Sequence, residues 1–156
     1  MANRGLCTAL SAVGAAQLLK LPMHYAVTGE WDMRKLIGTG GMPSSHSSGV
    51  TALAAYTAAK YGLKTPAFAI SAMLGIVVMY DAMNIRRHAG EIAVQVNDLD
   101  EDVEKLSGEH PGIYHKRRRE KLKETLGHQP REVAAGALLG ACIGLIGALT
   151  SAKGRA

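Results

Sequence analysis

Gly40-Gly41-Met42-Pro43-Ser44-Ser45-His46-Ser47-Ser48 is a polar turn that opens directly into the apolar run at 49–59. Two glycines free the backbone to turn, Pro43 fixes φ at the approach, and Ser44 or Ser45 can cap a helix whose first turn carries His46. Such a helix start suits an anion. Its free N–H groups and the positive end of its dipole favour phosphate or carboxylate, and hydroxyls and an imidazole stand beside them. The plainer reading is a serine-rich cap with an incidental histidine. N-caps far outnumber active sites, so this stretch alone leaves both readings open.

Outward from this turn the chain divides by charge. Residues 5–19, 46–59, 66–85 and 133–152 contain one charged side chain, Asp81, whereas 86–131 holds ten Lys/Arg and nine Asp/Glu. The mean hydropathy of +0.04 therefore averages a membrane-like part and a soluble-like part. Runs 66–85 and 133–152 reach the roughly 20 residues of a spanning helix. Run 5–19 can be extended through Leu21-Pro22-Met23, and 46–59 can begin below the membrane surface as an active-site helix. The alternative is a soluble, alanine-rich bundle with buried helices.

The net charge of +5 does not point to nucleic acid. The basic residues of 86–131 are interleaved with acids, and Tyr114 is the one aromatic there, too little for a stacking platform. A membrane surface explains the excess better. Arg4 alone precedes the first apolar run and no clear cleavage site follows it, so that run reads as a retained anchor. Cys7 and Cys142 lie in apolar runs without metal spacing and read as packing residues.

In order, a helix built of Ala, Gly, Ser and Leu runs from about Arg4 toward Leu21. Lys20 near its end either snorkels to the interface or points between helices. A polar connector follows with His24, Trp31, Arg34 and Lys35, in which Trp31 is a candidate interfacial anchor. The second helix starts at the Ser-His turn and stops near Tyr61-Gly62; the third starts around Thr65-Pro66 and returns to Asp81, Arg86 and Arg87. Asp81 is either part of a site or half of an ion pair with Arg86 or Arg87 that pins the helix end. Ile92, Val96, Leu99, Val103 and Leu106 then alternate by four and three, an a/d seam expected on an amphipathic helix that continues the third or folds against a partner. Residues 108–114 read as a loop and 115–121 as a basic helix start. Gly136, Gly140 and Gly144 give the last apolar helix a close-packing stripe.

Counting crossings places the end of the first helix, the start of the second, the end of the third and the start of the fourth on one side. Lys20, Arg34, Lys35, Ser44, Ser45, His46, Arg86, Arg87, His128 and Glu132 can therefore converge. His128 and Glu132 are one helical turn apart. One histidine can attack phosphorus, the carboxylate can orient its ring, the second histidine can protonate the leaving oxygen, and cations with helix N-termini can hold the charge.

These residues resemble a family. Pro43-Ser44-Ser45-His46 is similar to the Pro-Ser-Gly-His motif of the type 2 phosphatidic acid phosphatase and vanadium haloperoxidase superfamily, and Gly127-His128-Gln129-Pro130-Arg131-Glu132 to its last motif, Gly-x-His-x-x-x-Asp before an apolar helix. The whole chain resembles the divergent membrane-bound branch of that superfamily. The resemblance implies His128 as a nucleophile forming a phosphohistidine, Glu132 in the place of the orienting Asp, His46 as general acid, and Ser44 and Ser45 on phosphate oxygens. The motif's arginine falls to Arg86 or Arg87, with the segment up to Gly127 inserted, and Lys20 and Arg34 are candidates for the first motif's Lys and Arg. Ser45 stands where the family has Gly, and Glu132 where it has Asp. Neither a metal nor another cofactor is implied.

The expected architecture is thus all-α: one membrane domain over 1–156, a polytopic bundle of four main apolar helices with a charged helical connector at 86–131. The expected function is hydrolysis of a lipid phosphate or diphosphate; the alternative is a catalytically silent membrane protein binding anionic lipid or phosphate in the same pocket. Expected partners are membrane lipids and the lipid phosphate substrate, with no nucleic acid, and the glycine stripe and heptad seam are compatible with a homodimer. Arg34, Lys35 and the connector's basic residues outnumber Arg4, Lys60, Lys64, Lys153 and Arg155, which puts the site face in the cytoplasm, at the plasma membrane.

Overall fold

A computed structural model of the chain describes residues 3–36, 40–110, 121–124 and 126–152, and among them every regular element is helical. The helices are α1 (Arg4–Thr28), α2 (Ser45–Tyr61), α3 (Pro66–Met83), α4 (Ile85–Glu109) and α5 (Pro130–Ala152), with a 3-10 turn at Met33–Leu36. Arg4–Thr28, the nearly continuous Pro66–Glu109 and Pro130–Ser151 are long and apolar enough to cross a membrane. The 17-residue α2 is not among them; it sits at the centre, against α1, α3 and α5.

Packing is inverted relative to a soluble core. Ala12, Ala16, Ala52, Ser44, Ser47 and Ser48 are buried, while Ile70, Met73, Leu74, Ile76 and Val77 of α3 and Leu138, Ile146 and Leu149 of α5 point outward. Small residues between helices and large apolar ones outside are what a lipid surround rewards, because chains there associate by close backbone approach. The glycine stripe shows it directly. A Cβ at Gly136, Gly140 or Gly144 of α5 would overlap the carbonyl oxygen of Ser44, Ser48 or Ala52, one turn apart along α2. Hydroxyls complete the interior: Ser48 Oγ donates to Ala12 O at 3.2 Å, and Thr57 and Ser71 pair at 2.8 Å between α2 and α3. At the end remote from His46, Arg4 Nη1 and Lys60 Nζ donate to Ser151 O at 3.2 and 3.4 Å, complementing the negative end of α5.

Local rules set most boundaries. Ser44 caps α2, accepting from Ser47 N, and Gly62 ends it; Thr65 caps α3 with Pro66 in its first turn. Two helix ends differ from the sequence reading. Helix α1 runs past Pro22 to Thr28, because one proline removes a single helical hydrogen bond while the left-handed Gly29 (φ 74°) provides the actual stop. Trp31, expected as an anchor, is exposed and stacks on Tyr25 with centroids 4.8 Å apart. Helix α4 continues through Gly108 to Glu109 and stops at His110, the residue before Pro111, where helical φ/ψ is disfavoured. The expected basic helix start falls largely on residues 115–120, outside the described residues, and Lys121 to Glu124 is not helical.

Within this chain the connector packs by one face. Helix α4 follows α3 after a break at Asn84, but Ile92, Leu99 and Leu106 of the heptad seam are exposed. The packed face is instead Gly90, Ala93 and Asn97. Along it runs the segment that leads to His128. Asn97 Nδ2 donates to Leu122 O (3.0 Å) and Glu124 Oε1 (2.8 Å), and Asn97 Oδ1 accepts from Leu122 N (2.9 Å).

Candidate active site

His128 enters the site on a chain held at several points. Gly127 has φ +83° and a Cβ there would collide with the Arg86–Arg87 backbone, so only glycine lets the segment cross the start of α4 this closely. The next amide, His128 N, donates to Ala82 O at 2.9 Å, using a carbonyl in the last turn of α3. Pro130 then opens α5, and Glu132 turns back across its first turn. Glu132 Oε2 accepts from Gln129 N at 3.1 Å, as the acid of a capping box does, and lies 3.0 Å from His128 Nδ1.

That contact fixes the imidazole. A carboxylate accepts, so Nδ1 is the donor, and in the neutral ring Nε2 keeps the lone pair. The ring is buried, at 5% exposure, yet it lines two cavities. One, of about 240 Å³, is shared with His46, Asp81 and Arg86; the other, of about 430 Å³, with Gly40, Gly41, Arg87 and Glu132. The two histidines, 82 positions apart in sequence, thus meet across one small cavity.

His46 occupies the first turn of α2 with its side chain partly open to solvent. Desolvation, followed by the coulombic effects of Arg86, of His128 when it is protonated, and of Lys20, holds its pKa below the usual histidine range. The backbone N–H groups of Ser45 and His46 have no acceptor among the described residues, whereas those of Ser47 and Ser48 bond to Ser44. Two free donors at a helix start therefore lie beside the imidazole.

The other expected site residues divide. Arg86 joins the cavity of the two histidines, with Nε 2.6 Å from Asp81 Oδ2, so Arg86 rather than Arg87 is the partner of that acid. Arg87 lines the second cavity and bonds Glu91 Oε1 at 3.0 Å. Lys20 is buried at 4% exposure and lines a third cavity, with Glu132. Ser44 and Ser45 are buried and line none of these cavities: Ser44 Oγ accepts from Ser47, Ser44 N donates to Glu132 O at 3.0 Å, and Ser45 Oγ donates to Gln17 Oε1. Their hydroxyls hold the turn in place. Arg34 is exposed on the 3-10 turn, where its backbone N–H is capped by Asp32, and borders none of the cavities; the Lys35 side chain lies outside what is described.

Three residues that line or support the site carried no signal strong enough to single them out. Gln17 links Ser45 to Leu36 O, donating through Nε2 at 2.7 Å; its spacing of three from Lys20 was the available clue. Arg131 sits between His128 and Glu132 in sequence and lines the cavity with Lys20. Asn97 lies far from both motifs and is legible only through its contacts. Among the described residues no three His, Cys, Asp or Glu side chains are grouped to hold a metal ion.

Comparison with known proteins gives the chain's family. The family described as the Divergent PAP2 family matches residues 1–143. The uncharacterized membrane protein YuiD of Bacillus subtilis (strain 168) is 41% identical over 149 residues, covering 94% of each chain. No solved structure matches the chain. With that match spanning the turn at Ser44, both histidines and most of α5, and three helices long enough to cross a bilayer, the chain is a membrane protein and belongs to the Divergent PAP2 family.

Proposed function

We propose that the protein hydrolyses a phosphate ester or diphosphate on a lipid through a covalent phosphohistidine. The observation that carries this reading is the His128 ring, held by Glu132 through Nδ1 and bordering a cavity shared with His46 and Arg86. His128 Nε2 attacks phosphorus as the bond to the leaving oxygen breaks, and protonated His46 gives that oxygen its proton. Glu132 stabilises the cationic ring as it forms. Arg86, Arg87 and the free N–H groups of Ser45 and His46 balance charge on the phosphoryl oxygens. Neutral His46 then takes a proton from water, whose oxygen attacks the phosphohistidine and releases phosphate and His128. Burial of His128 keeps bulk water from the phosphoenzyme until the leaving group departs. The basic residues of the site face favour a cytoplasmic site and hence lipid phosphates of the inner leaflet.

The test is phosphate release by purified protein in detergent containing EDTA, from phosphatidate, phosphatidylglycerophosphate, and polyprenyl phosphates and diphosphates. Turnover should vanish in His128→Ala and His46→Ala. Lipid binding without release from any of these, undiminished in both variants, would replace the enzyme by a silent binder of anionic lipid.

A further inference from the structure

A third cavity, of about 560 Å³, adjoins the site on the other side of Glu132. Lys20, Met23, His24 and Val27 line it from α1 at the i, i+3, i+4, i+7 spacing of one helix face, and Arg131 borders it from α5. Glu132 borders both this cavity and the 430 Å³ cavity that holds His128, so the two are neighbours.

Charge distinguishes this cavity from the other two. Arg86 and Arg87 are each bonded to an acid, Asp81 and Glu91. The side chains of Arg131 and His24 pair with no acid among the described residues, and the one carboxylate in the cavity, Glu132, is already bonded to His128 and Gln129. Among the described residues, the charge of Arg131 therefore borders this space with no acid bonded to it, beside the imidazole of His24, the Glu132 carboxylate and the apolar surfaces of Met23, Val27 and Met42. That combination fits an anion carried on an apolar stem.

We propose that this cavity is a second anion subsite, in which Arg131 and His24 hold the non-reacting phosphorus group of a lipid that bears two. The inference rests on the phosphatase reading and narrows its substrate to lipids with two anionic phosphorus centres. For a lipid diphosphate, His128 Nε2 bonds to the terminal phosphorus, the bond to the bridging oxygen breaks, and that oxygen leaves on the lipid monophosphate with the proton from His46. The monophosphate so formed is held at the subsite until it dissociates.

The full chain carrying His128→Ala, purified in detergent, is titrated with farnesyl phosphate and farnesyl diphosphate, and with methylenediphosphonate as a lipid-free competitor. The diphosphate should bind about tenfold tighter or more, as one or two charge-assisted hydrogen bonds allow. This preference should collapse toward unity when Arg131→Gln or His24→Gln is added and persist with Lys105→Gln on the exposed face of α4. Equal affinity for the two lipids, or a preference that survives both substitutions, overturns the subsite. Competition by methylenediphosphonate as strong as by farnesyl diphosphate overturns the lipid assignment in favour of a free anion. Because the His128→Ala chain cannot turn over, a clear preference with no phosphate release by the unsubstituted protein would sink the phosphatase reading and leave the subsite intact.

Discussion

Asn97→Ala removes the clamp that mounts His128 without touching the site. Asn97 is 5% exposed and makes three hydrogen bonds of 2.8 to 3.0 Å to Leu122 and Glu124, four to six residues before His128. At about 1 kcal/mol net for each neutral bond and somewhat more for the one to a carboxylate, the clamp contributes about 3 kcal/mol. Residues 121–124 are exposed and regain water when it is lost, so about 2 kcal/mol of docking energy is the expected deficit, roughly a thirtyfold shift toward the undocked segment. Part of that is resisted by the His128 N to Ala82 O bond. Phosphate release should then fall about tenfold in kcat/KM. Thermal stability should barely move, since Asn97 lies outside the packing of α1, α2, α3 and α5. Asn97→Asp should be worse than Ala: it keeps an acceptor for Leu122 N but sets a second carboxylate against Glu124, and Glu124→Gln should recover part of the loss. Hydrogen exchange at the Leu122 amide reads the clamp without relying on turnover, and protection should be lost in Asn97→Ala. An Asn97→Ala protein with kcat/KM within twofold of the parent and an unchanged Leu122 amide would refute the role of the clamp.

Further outcomes follow from the same contacts. Glu132→Asp should lose more than about tenfold in activity even though the wider family's motif carries Asp, because the shorter chain cannot reach both His128 Nδ1 and Gln129 N; phosphate release compared with Glu132→Gln checks this. In the proposed reaction His46 is the acid, so kcat/KM should decline as pH rises through its lowered pKa; Arg86→Gln removes a positive charge, raises that pKa and should carry the declining limb to higher pH, whatever it does to the maximum. An unmoved limb would show that Arg86 does not act on His46. Gly140→Ala drives a methyl into the Ser48 carbonyl and should destabilise the α2–α5 contact by about 1–3 kcal/mol, lowering the detergent melting temperature; at Gly147 the nearest atoms are those of the Thr8 side chain rather than backbone, and Gly147→Ala should cost less.

The helices were largely legible because their signals are local. Charge-free runs, Ser44, Gly62 and Thr65-Pro66 each act within a few residues of chain, and the stops and caps they predict are those found. Both histidines were legible for a similar reason: each sits at the start of an apolar helix behind a Gly/Pro turn. Chain order and an assumed set of crossings then sufficed to put them on one side.

What sequence alone determined is therefore the set of helices, the side of the bundle on which the polar ends meet, the glycine stripe and the pairing of His128 with Glu132 one turn later. Tertiary structure decided the rest. It carried α1 through Pro22, buried Lys20 beside Glu132 instead of letting it reach the surface, and chose Arg86 for Asp81. It also turned the hydroxyls of Ser44 and Ser45 inward, left Arg34 outside, and packed α4 on Gly90, Ala93 and Asn97 in place of its heptad seam. The physical reason is common to these cases. Apolar periodicity locates a packed face when water drives burial, but in this bundle the large apolar residues face outward and small residues and hydrogen bonds select the contacts. Those contacts join residues far apart in the chain, Gln17 with Ser45, Asn97 with Leu122, His46 with His128, and no local pattern records which distant partner each one meets.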